Sequence, residues 1–202
     1  MQIKELMLPK ITLVLVMLLS ALLSACSPAL DWRTVRSDDL LYEALYPGKP
    51  SRAEKTILFD GHKLTMTIEA SKAGEALYAV SVISVSKELS KQVDVKTLVN
   101  YLQTGMLSNL KGASKPLELN ATIKTAGQPS YELPAKEWII DGLGPDQKKR
   151  LLRFRLVQRQ LPDGQVQIYQ QSLLQAVKDN SSIEQITRSD QHEMFFTGFK
   201  PY

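Results

Sequence analysis

One side chain in this sequence has a chemistry found nowhere else along it. Cys26 is the single cysteine of 202 residues, and it closes the tetrapeptide Leu23-Ser24-Ala25-Cys26. Its thiol could be left free or form half of a disulfide, but the chain offers no second cysteine to pair with. The other residues that could do chemistry are sparse. His62 and His192 have no Cys, Asp or Glu at a metal-ligand spacing, since Glu193 merely adjoins His192. They are expected to be two partly exposed surface histidines. No Gly-x-Ser-x-Gly elbow occurs. Gly142-Leu143-Gly144-Pro145 reads as a turn and not as a phosphate cradle, because Pro145 lacks a backbone donor. The carboxylates Glu132, Glu137 and Asp141 are scattered, without a pair suited to acid–base work. The expectation is therefore no catalytic residue, no metal and no cofactor.

One cluster of charge stands out. Lys148-Lys149-Arg150 is followed by Arg153, Arg155 and Arg159. On a strand the last three share one outward face. They could contact an anionic partner such as lipid headgroups, lipopolysaccharide phosphates or an acidic protein. The alternative is a solvated or edge-protecting face.

The elements that place Cys26 come next. Lys4 and Lys10 precede Ile11 to Ala25, a run of fifteen residues broken only by Thr12, Ser20 and Ser24. At 1.5 Å per residue this helix would be about 22 Å long, short of a hydrocarbon core of about 30 Å. Small residues then lead to a cleavage point, as in a secretory signal. An uncleaved membrane anchor is the alternative. Leu23, Ser24, Ala25 and Cys26 together resemble the lipobox of bacterial lipoprotein signal peptides: apolar, small, small, Cys. That resemblance implies diacylglycerol in thioether linkage on Cys26, cleavage before it and, in many Gram-negative bacteria, N-acylation with a chain such as palmitate. Each buried methylene contributes about 0.8 kcal/mol, so two or three chains make a durable membrane anchor. Ser27, where inner-membrane lipoproteins carry Asp, further implies the periplasmic face of the outer membrane.

Residues 1–25 are thus expected to be the signal peptide, 26–36 the lipidated N-terminus and tether, and 37–202 a single domain. The whole sequence holds 25 Lys+Arg against 21 Asp+Glu, a net charge of +4. That is too mild for a dedicated nucleic-acid binder, and no nucleic-acid partner is expected. Having no further cysteine, the domain must be held by packing.

Strand signals dominate the first half. Leu41 to Tyr46 runs into Pro47-Gly48-Lys49-Pro50. Thr56 to Phe59 reaches the turn Asp60-Gly61, and beyond it Leu64, Met66 and Ile68 alternate with Thr65, Thr67 and Glu69, a hairpin signature. Ala76 to Val85 is apolar on both faces and reads as a central strand. The period then lengthens: Val95, Leu98, Leu102, Met106 and Leu110 predict a helix over 94–111, capped by Asp94 and followed by Gly112. Further strands are predicted at 117–124, at 135–140 up to Asp141-Gly142, within 148–160, and from Val166 after the turn Pro162-Asp163-Gly164. Ser181 and Glu184 make a capping box for a last helix over 182–196, with Ile183, Ile186, Met194 and Phe195 on its apolar face. The order predicts an α+β fold, an antiparallel β-sheet with two main helices packed on it.

Tyr42-Glu43-Ala44-Leu45-Tyr46-Pro47-Gly48-Lys49-Pro50 resembles the F-x-V-x-F-P-G-K-P opening of bacterial domains with the PsbP/Mog-like fold. Met194 to Lys200 resembles their closing helix, with Gly198 in place of the usual Ser, and Trp138 to Gly142 with the strand 150–158 fits the middle of the pattern. The fold group shares no catalytic site, so the resemblance implies a binding or assembly role. The expected function is that of a non-enzymatic, membrane-anchored envelope lipoprotein that meets an envelope protein or component. An envelope enzyme with an unmarked site is the alternative.

Overall fold

Seven antiparallel strands make the backbone of the computed structural model, which describes residues 30–177, 186–187 and 189–202. In chain order the elements are β1 (Arg33–Ser37), β2 (Tyr42–Tyr46), β3 (Ser51–Phe59), β4 (His62–Ala73), β5 (Ala76–Val85), α1 (Val95–Leu107), β6 (Leu117–Lys124), β7 (Glu132–Leu143), β8 (Lys149–Gln160), β9 (Val166–Ala176), α2 (Asp190–Thr197) and β10 (Lys200–Pro201). The large sheet runs β3-β4-β5-β9-β8-β7-β6, and β1-β2-β10 form a small second sheet. The architecture is α+β with antiparallel sheets. Asp31–Tyr202 is one compact unit; the other, Met1–Leu30, lies outside the described residues except for Leu30.

Local chemistry explains the joints. Asp60 and Gly61 both take positive φ, +48° and +75°, as a two-residue hairpin turn requires, and Phe59 then pairs with His62. Asp94 caps α1 by accepting from the Lys96 N–H at 3.1 Å. The helix ends at Leu107, one turn before the predicted limit of 111. Asp141-Gly142 is not a turn. Strand β7 runs through it to Leu143, and the reversal falls at Gly144–Lys148. The glycine answers a different need: a Cβ on Gly142 would lie 3.0 Å from both Leu110 Cβ and the Lys111 carbonyl oxygen, because the chain leaving α1 pairs there through Lys111 and Leu143.

Both faces of the large sheet are covered. Leu152, Phe154 and Leu156 of β8 join Trp138, Ile140, Ile83 and Ile168 beneath Leu98 and Leu102 of α1. The opposite face carries Tyr78, Val80, Tyr169 and Leu173, packed under Tyr42 and Tyr46 of β2 and Phe195, Phe196 and Phe199 of the C-terminus. The predicted face of Thr65, Thr67 and Glu69 is accordingly not all solvent, since Thr67 and Glu69 are buried. Strand β1 takes residues 33–36 of the expected tether. Its polar Arg-Thr-Val-Arg-Ser has no apolar alternation, and it exists because β2 offers a pairing edge.

The capping box Ser181/Glu184 lies outside the described residues. Helix α2 begins at Asp190 after Ser189 and buries His192, Phe195 and Phe196, while Met194 is turned outward. Phe195 packs against Tyr46, Tyr78 and Phe196 with ring centroids 5.2–5.8 Å apart. Phe195→Ala should therefore cost about 3–5 kcal/mol, read as a lowered urea midpoint; an unchanged midpoint would contradict this packing.

Candidate functional site

Arg153, Arg155 and Arg159 share one face of β8, as a period of two demands, but at Arg153 and Arg155 that face is not open to a partner. Arg153 is 5 % exposed and Arg155 9 %, because α2 lies across them. The two guanidinium groups converge on one carboxylate. Arg153 Nε donates to Glu137 Oε1 at 2.8 Å, and Arg155 donates to Oε2 through Nε at 2.9 Å and Nη2 at 2.6 Å. Glu137 stands on β7 directly opposite Arg155. The remaining donors reach α2 and the chain before it: Arg153 Nη1 to Glu193 Oε1 at 2.6 Å and to the Thr187 carbonyl ahead of the helix, and Arg155 Nη1 to the Phe196 carbonyl at 3.1 Å. The Phe196 ring faces both cations, 4.1 Å from Arg153 and 5.1 Å from Arg155. Gln171 Nε2 donates to the Phe195 carbonyl at 2.7 Å. Last-turn carbonyls of α2 that have no intrahelical partner thus bond to side chains rising from the sheet.

Arg153 and Arg155 correct the expectation of an anion-docking face: they clamp a helix. Burial draws Arg155 below the ordinary arginine value, against the pull of Glu137. Arg159, half-buried at the strand end, sits by the Tyr169 hydroxyl, which burial pushes up to about 12. Neutralising the shared carboxylate leaves buried Arg155 without a carboxylate partner and Arg153 with Glu193 alone, so Glu137→Gln should cost about 3–5 kcal/mol. Replacing all three by apolar residues, Glu137→Leu with Arg153→Met and Arg155→Met, should melt above the single variant. A triple variant no more stable than Glu137→Gln would contradict this account.

His192 corrects a second expectation, for it is 4 % exposed. Its ring stands edge-on to Tyr78, and Nδ1 donates to the Ile186 carbonyl at 2.6 Å. Burial holds its pKa below the ordinary histidine value; the Ile186 carbonyl and Glu193 raise it and nearby Arg153 lowers it. A base with a depressed folded pKa binds its proton better when unfolded. Stability therefore falls as pH drops from about 6.5 towards the folded pKa. Thermal melts of wild type should decline through that window, and His192→Gln should show a shallower decline from a lower starting stability.

A second buried polar group joins the small sheet to the large one. Glu69 Oε2 accepts from the Tyr42 hydroxyl at 2.5 Å and Oε1 from Ser37 at 3.1 Å, while the Tyr46 hydroxyl donates to the Glu69 carbonyl. Burial raises both tyrosines well above the usual range, so they stay neutral donors. Arg52 approaches Glu69 from the surface side at 3.8 Å.

The face under α1 is the one with room. Along the central pair β5/β9 its side chains read Ile83 opposite Ile168, Ser81 opposite Gln170, Ala79 opposite Ser172 and Leu77 opposite Leu174. The isoleucines are buried beneath α1. Beyond them the floor turns small or polar and the helix carries Gly105. Two hollows flank this stretch and meet at Met106 and Asn109. The larger, about 650 Å³, has walls of Leu77, Met106, Leu110, Pro145, Leu152 and Leu174, with Lys72, Glu75, Asp146 and Arg150 also lining it. The smaller, about 420 Å³, reaches Ser81, Gln170, Tyr101 and Leu58. Both volumes fall within the range of ligand and peptide sites. Leu77 is 43 % exposed and the Tyr101 ring 48 %.

Sequence reasoning missed this groove. Its one linear signal is the drop from isoleucine to alanine and serine at alternate positions of a central strand. Among the described residues no three His, Cys, Asp or Glu side chains stand together as a metal site, and no helix is long and apolar enough to cross a membrane. Cys26, with the leader, lies outside the described residues. No family model matches the chain, and no curated protein matches it either.

Proposed function

We propose that this chain is a bacterial envelope lipoprotein, held to a membrane by lipid on Cys26, whose folded domain has a PsbP/Mog-like fold and a binding or assembly role without catalysis. The observation that carries the binding role is the groove beside α1. A sheet otherwise covered on both faces leaves an apolar-walled channel there, with Leu77 open at its mouth. Exposed apolar surface of this kind is costly to keep unless something docks on it. Arg153 and Arg155, two of the three arginines expected to meet an anionic partner, are engaged in holding α2. The lipobox residues Leu23 to Cys26 support the anchor, and Ser27 supports the outer membrane, periplasmic side. The sheet with a helix on each face agrees with the fold suggested by the sequence segments 42–50 and 194–200.

The anchor and the groove are tested separately. Cys26→Ala should abolish incorporation of a palmitate analogue, and equal labelling of the variant would refute lipidation. Wild type should sediment with outer membrane on a sucrose gradient and Ser27→Asp should shift inward. For the groove, a photo-crosslinker at Leu77 in intact cells should give one defined adduct with an envelope component, lost when Leu174→Arg fills the channel. No adduct at Leu77, or one that persists in Leu174→Arg, would remove the groove from the binding role.

A further inference from the structure

We infer that β6 is a docking edge for a second copy of this chain, joining the two large sheets about a two-fold axis at Ala121. This goes beyond the binding groove and does not depend on it. The argument begins with the backbone. Strand β6 lies at the end of the large sheet, paired only with β7. The Thr125 N–H bonds to the Tyr131 carbonyl, in line with the register Ile123 opposite Leu133 and Ala121 opposite Ala135. In an antiparallel ladder such pairs alternate, so odd-numbered residues of β6 turn their N–H and C=O groups towards β7 and even-numbered ones turn them outward. The outward set is Glu118, Asn120, Thr122 and Lys124. Among the described residues no backbone hydrogen bond reaches them.

That free row is bounded on both sides. Pro116 has no N–H to offer before it, and the Ala126 N–H beyond it is taken by the Pro201 carbonyl at 2.7 Å. The window therefore runs from 118 to 124, and its midpoint is Ala121. Laid antiparallel on itself about that midpoint, the row matches Glu118 to Lys124 of the second copy and Asn120 to its Thr122. All are outward residues, so every pair is of the hydrogen-bonded kind and each exchanges two bonds. The same register sets the carboxylate of Glu118, which already takes Lys136 and the Trp138 indole N–H, opposite the ammonium of Lys124. On the other face Leu119 meets Ile123. Leu117 and Leu119 are 55 % and 39 % exposed in the single chain, and the second copy would cover the latter.

The opposite end of the sheet carries more charge than the two exposed charged residues of β6, Glu118 and Lys124. Strand β3 presents Arg52, Glu54 and Lys55 as exposed side chains, the usual protection of an edge. Strand β6 has no proline, bulge or inward charge between 117 and 124. An edge free of proline and bulge, whose two charges pair in a self-complementary register, suits strand addition between identical chains.

The experiment uses the full chain in a Cys26→Ala background, extracted in mild detergent, so that each introduced cysteine is the only thiol. Ala121→Cys faces itself across the axis at a non-hydrogen-bonded position, where Cα atoms lie about 4.5 Å apart, within disulfide reach. Mild oxidation should convert most of it to a covalent dimer. Leu117→Cys, about 27 Å from its copy at 3.4 Å per residue, should stay reduced, as should Leu58→Cys on β3. Thr122→Pro removes an outward N–H, which an edge strand tolerates. It should leave the thermal melt nearly unchanged and halve the mass that light scattering gives for wild type. Monomeric wild type, or crosslinking at Leu58→Cys or Leu117→Cys as fast as at Ala121→Cys, would overturn the proposal. Faster crosslinking at Asn120→Cys would overturn its register. If Thr122→Pro fails to fold, the cysteine series decides alone.

Discussion

One carboxylate sets the architecture on the C-terminal side of the sheet. Glu137 receives two guanidinium groups from the neighbouring strand, and the donors left over reach up to α2. An ion in a nearly dry layer costs several kcal/mol to desolvate, and only close, fully bonded geometry offsets that. The geometry here is met from three elements at once: Glu137 from β7, Arg153 and Arg155 from β8, and the carbonyl of Phe196 with Glu193 from α2. A helix of eight residues is too short to be stable alone. It stands because its end is bonded to the sheet and its aromatic side chains enter the core.

The same constraint shapes what the rest of the molecule can offer. With one face of the sheet committed to α2 and the small sheet, open binding surface must come from the other face or from the edges. Helix α1 does not span its whole face, and the side chains beyond it are small. The groove therefore follows from a helix narrower than the sheet it covers. Both sheet edges carry exposed charge, Arg52, Glu54 and Lys55 on β3 and Glu118 and Lys124 on β6.

Much of the fold was legible in the sequence because its signals are local. The Asp60-Gly61 hairpin, strand β5, strand β6 and the Asp94 cap rest on residues within a few positions of one another, and they fall where the pattern places them. The failures concern what lies above a face. Alternation in β8 correctly separates Arg153 and Arg155 from Phe154, but a period of two cannot say which face meets water. The answer lay about forty residues away, in the Phe195-Phe196 pair that needs a surface to bury against. His192 was misjudged for the same reason. Gly142 misled differently: glycine beside aspartate looks like a turn, whereas here it admits the backbone of residue 111. The groove left almost no trace, because a cavity is an arrangement of neighbours and not a run of residues.

The placement of β10 bears on the order in which the chain can fold. Strand β2 emerges early, yet Tyr42 packs on Phe199 and pairs with Pro201, and Tyr46 packs on Phe195. These contacts join the first and last tenths of the domain, the most expensive loops to close. Until residues 195–201 leave the ribosome, the aromatic side chains of β2 lack part of their cover, and the nascent chain cannot complete that half of its core. A polypeptide built this way stays incomplete through most of its synthesis. It also means that losing residues 195–201 would strip β2 of partners.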